Sequence, residues 1–186
     1  LVHYGLKDPD GYGTSVASPW RAGSNEITTF SISHDVKING KDLKAGTYGL
    51  MLQLEKDKPW TWIFSKNSTS WGVYYYDPSE DVLRVEATPE ESAYMEWLTY
   101  GFDDRHLNSA VAYLRWENKR IAFPIEVPNA LDLYVNQMRA ELTSFAGFNS
   151  DNWLRSARFC LNNKINLTEA LKWVDISMNN ERFNGQ

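Results

Sequence analysis

A single cysteine, Cys160, leaves the chain without an intrachain disulfide and without a cysteine framework for a metal. His3, His34 and His106 stand far apart with no i,i+4 pair, which argues against zinc. No apolar run approaches the length of a membrane span. Basic runs are missing too. The formal charge is −5, with the acidic excess confined to residues 1–126, while residues 127–186 carry equal numbers of each sign. Nucleic acid and anionic membrane surfaces are therefore poor partners. G-x-S-x-G, a phosphate loop and a dinucleotide fingerprint are all absent, so no cofactor is expected. "DPDG" at 8–11 lacks the remaining ligands of a calcium loop and reads as a plain turn.

Aromatic residues are what the chain has in quantity: eight Trp, ten Tyr and eight Phe in 186 residues. Such side chains favour pleated, half-buried surfaces. The pattern from Glu26 onward agrees. Thr28, Phe30, Ile32, Val36 and Ile38 share one parity, Asn39-Gly40 marks a hairpin turn, and Tyr48, Leu50, Leu52 and Leu54 line the returning strand. Further rows are Trp60, Trp62 and Phe64; Trp71 to Tyr76; Leu83, Val85 and Ala87; residues 94–102; and Ala110, Ala112, Leu114 and Trp116. "WENKR" is read as a turn into Ile121, Phe123, Ile125 and Val127. About eight strands at regular spacing predict an antiparallel β-sandwich or flattened barrel over roughly 19–127, within a domain 1–127 whose first 18 residues are turn-rich.

Beyond Pro128 the period becomes helical, so residues 128–186 form an α-helical extension. Leu131, Tyr134, Val135, Met138, Leu142 and Phe145 make one stripe, and Trp153 to Leu161 a second, short helix. A third carries Leu167, Ala170, Leu171, Val174 and Met178, opened by Asn166 as N-cap with Glu169 three residues on. The last two helices resemble one tetratricopeptide repeat, with Ala157 and Ala170 in its small positions and one extra residue between them. Such a unit cannot bury both faces alone. Its tail has no obvious cap, so the helices are expected to continue beyond Gln186.

"PWRAGSNE", "INGKDLKAGTYGL", "WTWIFSKNSTSWG", "YDPSEDVLRV", "EWLTYGF" and "YLRWENKRIAFPIEV" together resemble the bacterial family catalogued as domain of unknown function 2911. The helical end is similar to the extension that often follows that domain. The resemblance implies an exported protein, periplasmic or on the cell surface. It also implies an N-terminal segment with strands of its own, so this chain is expected to be a fragment. The missing segment, bound as a separate chain, would be one partner covering an unpaired edge.

The candidate site residues are Arg21, Asn25, Glu26, Lys66 and Trp71. Arg21 offers a planar fork for a carboxylate, and Glu26 is near enough in sequence to be its partner. Arg21 and Glu26 are expected to pair with each other, within hydrogen-bond reach and mostly shielded from solvent, which makes the motif a polar seam fixing the start of the first strand. An Arg21 facing an open cleft would make it a clamp for a carbohydrate or peptide. The preferred function is a non-catalytic binding or scaffolding module. The alternative is a carbohydrate-active hydrolase, which needs a second carboxylate beside Glu26, drawn from Glu96, Glu117, Asp77 or Asp81.

Overall fold

A computed structural model describes residues 19–55 and 58–179. The turn-rich reading of residues 1–18, with "DPDG" and His3, lies outside the described residues. The chain divides into two compact units, Leu1–Pro128 and Asn129–Gln186.

Among the described residues of the first unit eight strands form two antiparallel sheets. One has the order β1 (Thr28–Ile32), β4 (Gly46–Gln53), β5 (Trp60–Ser65), β6 (Asp81–Ala87). The other runs β3 (Lys41–Leu43), β2 (Val36–Ile38), β8 (Ser109–Glu126), β7 (Glu90–Asp103). Neither sheet closes on itself, so the arrangement is a sandwich and not a barrel. Leu50, Leu52, Trp62 and Phe64 of the first sheet meet Ile38, Leu114, Ile121 and Phe123 of the second in one core. The alternating rows read from the sequence are the inner faces of these sheets.

Three local readings change. Asn39 and Gly40 form the expected hairpin turn, with φ of 48° and 78° as a type I′ turn requires. That turn joins only β2 to β3, however, while β1 pairs with β4 through Thr28↔Leu50 and Ile32↔Gly46. The chain crosses from one sheet to the other at Ser33–Asp35 and returns at Lys44–Ala45. Asp35 ties the two crossings together, accepting from Lys44 Nζ at 2.7 Å and from the Ala45 N–H at 2.9 Å. The Lys44 bond, with help from that N–H, holds the Asp35 carboxyl below its ordinary pKa.

"WENKR" is not a turn. β8 runs through it as one 18-residue strand, with Glu117 at φ 49° paired to Met95 where the register shifts on either side and β7 carries the extra residues. Nor are residues 71–76 a strand. They belong to a turn-rich segment that lies over the outer face of the first sheet, where Val73 and Tyr76 pack on Ile27, Met51 and Ile63. β4 and β5 are thus buried on both faces, which is why their burial does not alternate.

The second unit holds α1 (Ala130–Leu142), α2 (Ser150–Asn163) and α3 (Leu167–Met178) around Val135, Leu142, Ala157, Cys160, Ala170 and Trp173. The Asn149 side chain caps α2 by accepting from the Asp151 N–H at 2.9 Å. Lys164, in the left-handed region at φ 56°, ends it. Asn166 stands at the head of α3 but makes no side-chain cap bond. Its φ of 47° takes it out of the extended geometry from which an N-cap oxygen reaches the first turn. Glu169 does not reach back to it either. Arg139 of α1 holds both its oxygens, Nε to Oε1 at 2.7 Å and Nη2 to Oε2 at 2.6 Å. Among the described residues no helix is long and apolar enough to cross a membrane.

Candidate functional site

The geometry around Arg21 starts from a detour in the backbone. Trp20 bonds to Leu52 in both directions at 2.9 and 2.8 Å, and Thr28 pairs with Leu50. One residue of β4, Met51, is therefore matched by seven on this side, and residues 21–27 leave the sheet as a loop pinned at both ends. Positive φ at Ala22 (52°) and Asn25 (66°) makes the reversals. Ala22 is fully buried, and its carbonyl accepts from Tyr100 Oη at 2.7 Å. Burial pushes the Tyr100 hydroxyl well above its ordinary pKa, with Thr28 pulling the other way. Trp20 stacks on Trp116 at 6.0 Å. The loop is thus fixed, not floppy.

The loop rests on the segment that covers the first sheet. The Ile27 N–H donates to Ser70 O at 3.1 Å. Gly72, at φ 64°, brings its backbone so close to Arg21 that a Cβ there would stand 3.2 Å from Nη1 and 3.5 Å from Cδ. Asn25 O would be 3.6 Å from the same point. The fold therefore brings Arg21, Asn25 and the neighbour of Trp71 to one place, although some fifty residues separate them in sequence.

The expected Arg21–Glu26 ion pair does not form. Glu26 is exposed, and no hydrogen bond or ion pair joins the two. The two left-handed residues between Arg21 and Ile27 turn the backbone so that Glu26 faces solvent while Arg21 folds inward. The Arg21 Nε is buried with no hydrogen-bond partner among the described residues. Trp71, Tyr74 and Tyr75 stand out from the same segment, 56%, 80% and 79% exposed. Lys66 is exposed at the start of that segment, its N–H bonded to Glu80 O at 2.9 Å. Nothing ties its side chain to Arg21. Gly72 and Ala22 were not singled out from the sequence, and Gly72 had a signal: a glycine directly after Trp71 amid turn residues.

The carboxylates offered as partners for Glu26 have other work. Asp77 accepts from the Ser79 N–H at 2.9 Å, capping a 3-10 turn at Pro78–Glu80, and that bond lowers its pKa. Asp81 Oδ2 accepts from Arg84 Nη1 at 2.7 Å and from Tyr76 Oη at 2.7 Å, and Arg84 Nη2 donates to the buried Gln53 at 2.5 Å. Glu96 accepts from the Tyr94 hydroxyl on β7, and Glu117 is the left-handed residue of β8 that pairs with Met95 where the register shifts. Among the described residues no three His, Cys, Asp or Glu side chains converge as a metal-binding set.

The Tyr76–Asp81–Arg84 network fastens the covering segment to β6 and gives a pH signature. Burial, reinforced by the hydrogen bond to Asp81, pushes the Tyr76 pKa up to about 12. An unfolded tyrosine ionises near ~10. Between those values the unfolded chain has released a proton that the folded chain keeps, so this contribution is complete below about pH 10 and is lost as pH rises through about 12. Urea midpoints measured from about pH 8 to about pH 11 should show the wild type converging on Tyr76→Phe. A gap that stays constant with pH would contradict the assignment.

No curated protein and no solved structure matches the chain. A match to a family model spans residues 7–125, which takes in Arg21, Asn25, Glu26, Lys66, Trp71 and all but the last residue of the eight strands. That span is well over half of the sequence, and the chain belongs to the family described as a protein of unknown function, DUF2911.

Proposed function

We propose that the protein is an exported, non-catalytic binding module whose β-unit holds a carboxylate-bearing carbohydrate or peptide over Arg21, Asn25, Glu26, Lys66 and Trp71. Arg21 is the observation that carries this reading. Its Nε is buried without an acceptor, and the rest of the guanidinium has no carboxylate partner among the described residues. A buried donor left unmade costs about 1–3 kcal/mol. A ligand carboxylate that reached this guanidinium, which packs beside Gly72, would supply the missing acceptor. Trp71, with Tyr74 and Tyr75, offers flat apolar rings for a sugar face or a peptide side chain. Export is carried over from the family resemblance. In the second unit, Ala157 and Ala170 are both buried where α2 meets α3, which supports reading that hairpin as a tetratricopeptide-like unit.

The hydrolase alternative gains no comparable support, because Asp77 and Asp81 are committed to a turn cap and to Arg84. A thermal-shift screen of uronate-containing oligosaccharides and free-carboxylate peptides, against their neutral amides or methyl esters, tests the proposal. The expected result is a melting temperature raised by the acids alone, and lost in both Arg21→Ala and Trp71→Ala. Equal shifts with the neutral forms, or shifts that survive both substitutions, would remove Arg21 from the site.

A further inference from the structure

Four strands end the two sheets, and three of them carry features that discourage another strand from pairing. β3 is only three residues long and holds Lys41 and Asp42. β6 holds Asp81, Arg84 and Glu86, and its register to β5 shifts between Phe64 and Ser65. β7 holds Glu90, Glu91, Glu96 and Asp103 and carries extra residues at two register shifts. β1, "TTFSI", is different. It has no charge and no proline, and its register to β4 is unbroken from Thr28 to Ile32. Among the described residues no strand pairs with its other edge.

Which groups face that edge follows from β4. Trp20 and Leu52 exchange both backbone bonds, so Leu52 turns its N–H and C=O toward the β1 side. In an antiparallel ladder every second residue does the same, which assigns Leu50, Tyr48 and Gly46 to Thr28, Phe30 and Ile32. Thr29 and Ser31 therefore direct their N–H and C=O groups to the open side, and both residues are exposed. They form a short template for an added strand.

The loop 21–27 leads straight into Thr28 and stands at that end of the template. It is tied to Ser70 through the Ile27 N–H and packs on Gly72, and the Nε of its Arg21 is buried without an acceptor. A strand added antiparallel to β1 runs toward Thr28 and brings its C-terminus to this loop. One added parallel would bring its N-terminal ammonium to the same arginine, like charge against like. Charge thus selects the antiparallel direction and a chain that stops there. Glu26 on the same loop faces solvent, where its charge is screened.

We propose that the free edge of β1 takes up the C-terminal residues of an extended peptide as an added antiparallel strand, with the terminal carboxylate at Arg21. This rests on the carboxylate reading of Arg21 and narrows its ligand to a peptide end. The probe is a fluorescein-labelled hexapeptide of alternating threonine and valine with a free C-terminus, followed by fluorescence anisotropy on the whole 186-residue chain. Amidating the C-terminus should weaken binding at least about tenfold, and Arg21→Ala should erase that difference. Methylating the peptide's backbone nitrogens at alternate residues should matter in one parity only. Methyl groups on the edge-facing nitrogens block pairing and abolish binding, while the other set leaves it intact. These changes lie in the peptide, so no folding defect can imitate them.

Methylated sets that behave alike would overturn the proposal. If acid-specific binding still depended on Arg21 in that case, the Arg21 reading would stand without the edge. Parity-dependent binding that ignores amidation would also overturn the proposal, by separating the edge from Arg21. So would a hexapeptide that binds in no form, or a concentration-dependent dimer that the peptide dissolves, which would assign the edge to a second copy.

Discussion

Replacing Phe123 by alanine is expected to destabilise the β-unit by about 3–5 kcal/mol. Phe123 is 2% exposed on β8, and its ring is the meeting point of the two sheets. It stands 5.7 Å from Phe30, 5.2 Å from Trp62 and 5.5 Å from Phe64, each contact edge-on at 77°, 74° and 82°. Edge-to-face pairs of this kind add about 0.5–1.5 kcal/mol each beyond the area they bury, though not additively. Truncation would leave a cavity walled by three rigid aromatic rings that cannot collapse inward, the condition under which the cavity cost is largest. Against a total stability of ~5–15 kcal/mol, such a loss would leave much of the chain unfolded on modest warming. Phe102→Ala is the control: its ring is 54% exposed, and its urea midpoint should move little. If Phe123→Ala shifted the midpoint no more than Phe102→Ala, the sheets would not be joined through this ring.

The same core explains what was legible in the sequence and what was not. Thr28, Phe30 and Ile32 point inward from one sheet, and Val36 and Ile38 from the other. Both inner faces look onto a single core, so the chain keeps its parity when it crosses between sheets at Ser33–Asp35. Alternation therefore reports which side is inside and is blind to which sheet a strand joins. The "WENKR" stretch fails for the opposite reason. Inward residues are even-numbered through Trp116 and odd-numbered from Ile121, and a one-residue parity shift is what a bulge produces. A half-exposed stretch of this kind has the composition of a turn, but the left-handed Glu117 lets β8 run on, and the extra residues lie on β7, between Glu91 and Met95 and between Met95 and Thr99.

The candidate site was legible in its residues and not in its pairing. Arg21, Asn25 and Trp71 come together because the segment after β5 folds back over the first sheet. Its seat was written into the sequence as apolar residues on the outward parity, Met51 of β4 and Ile63 of β5. Those two side chains have no place on a solvent-facing surface and require a cover. Nearness in sequence, by contrast, could not decide whether Arg21 meets Glu26. Two left-handed residues inside a seven-residue loop settle that, and neither Ala22 nor Asn25 announces its φ from composition alone. Proximity in a tight loop constrains the backbone and leaves side-chain direction open.

Gly49→Ala is expected to be nearly as damaging as the core truncation, although it adds one methyl group. Gly49 sits in β4 with its missing side chain directed at the covering segment. A Cβ there would stand 2.2 Å from the Asn67 carbonyl oxygen and 2.8 Å from Ile27 Cδ1. The first neighbour is backbone and cannot rotate away, so either the segment lifts or the strand bends. Overpacking of this kind costs about 1–3 kcal/mol, and the upper end applies where backbone must move. Gly101→Ala makes the comparison fair. Its Cβ would come within 2.3 Å of Tyr113 Oη, but that is the tip of a side chain that can swing aside, so its melting temperature should fall far less. The prediction also reaches the proposed site. Lifting Asn67 from Gly49 draws Ser70 and Gly72 away from Ile27 and Arg21, so Gly49→Ala should lose carboxylate-dependent stabilisation even at temperatures where the sandwich remains folded. Retention of that binding in a destabilised Gly49→Ala protein would show that the covering segment does not build the site.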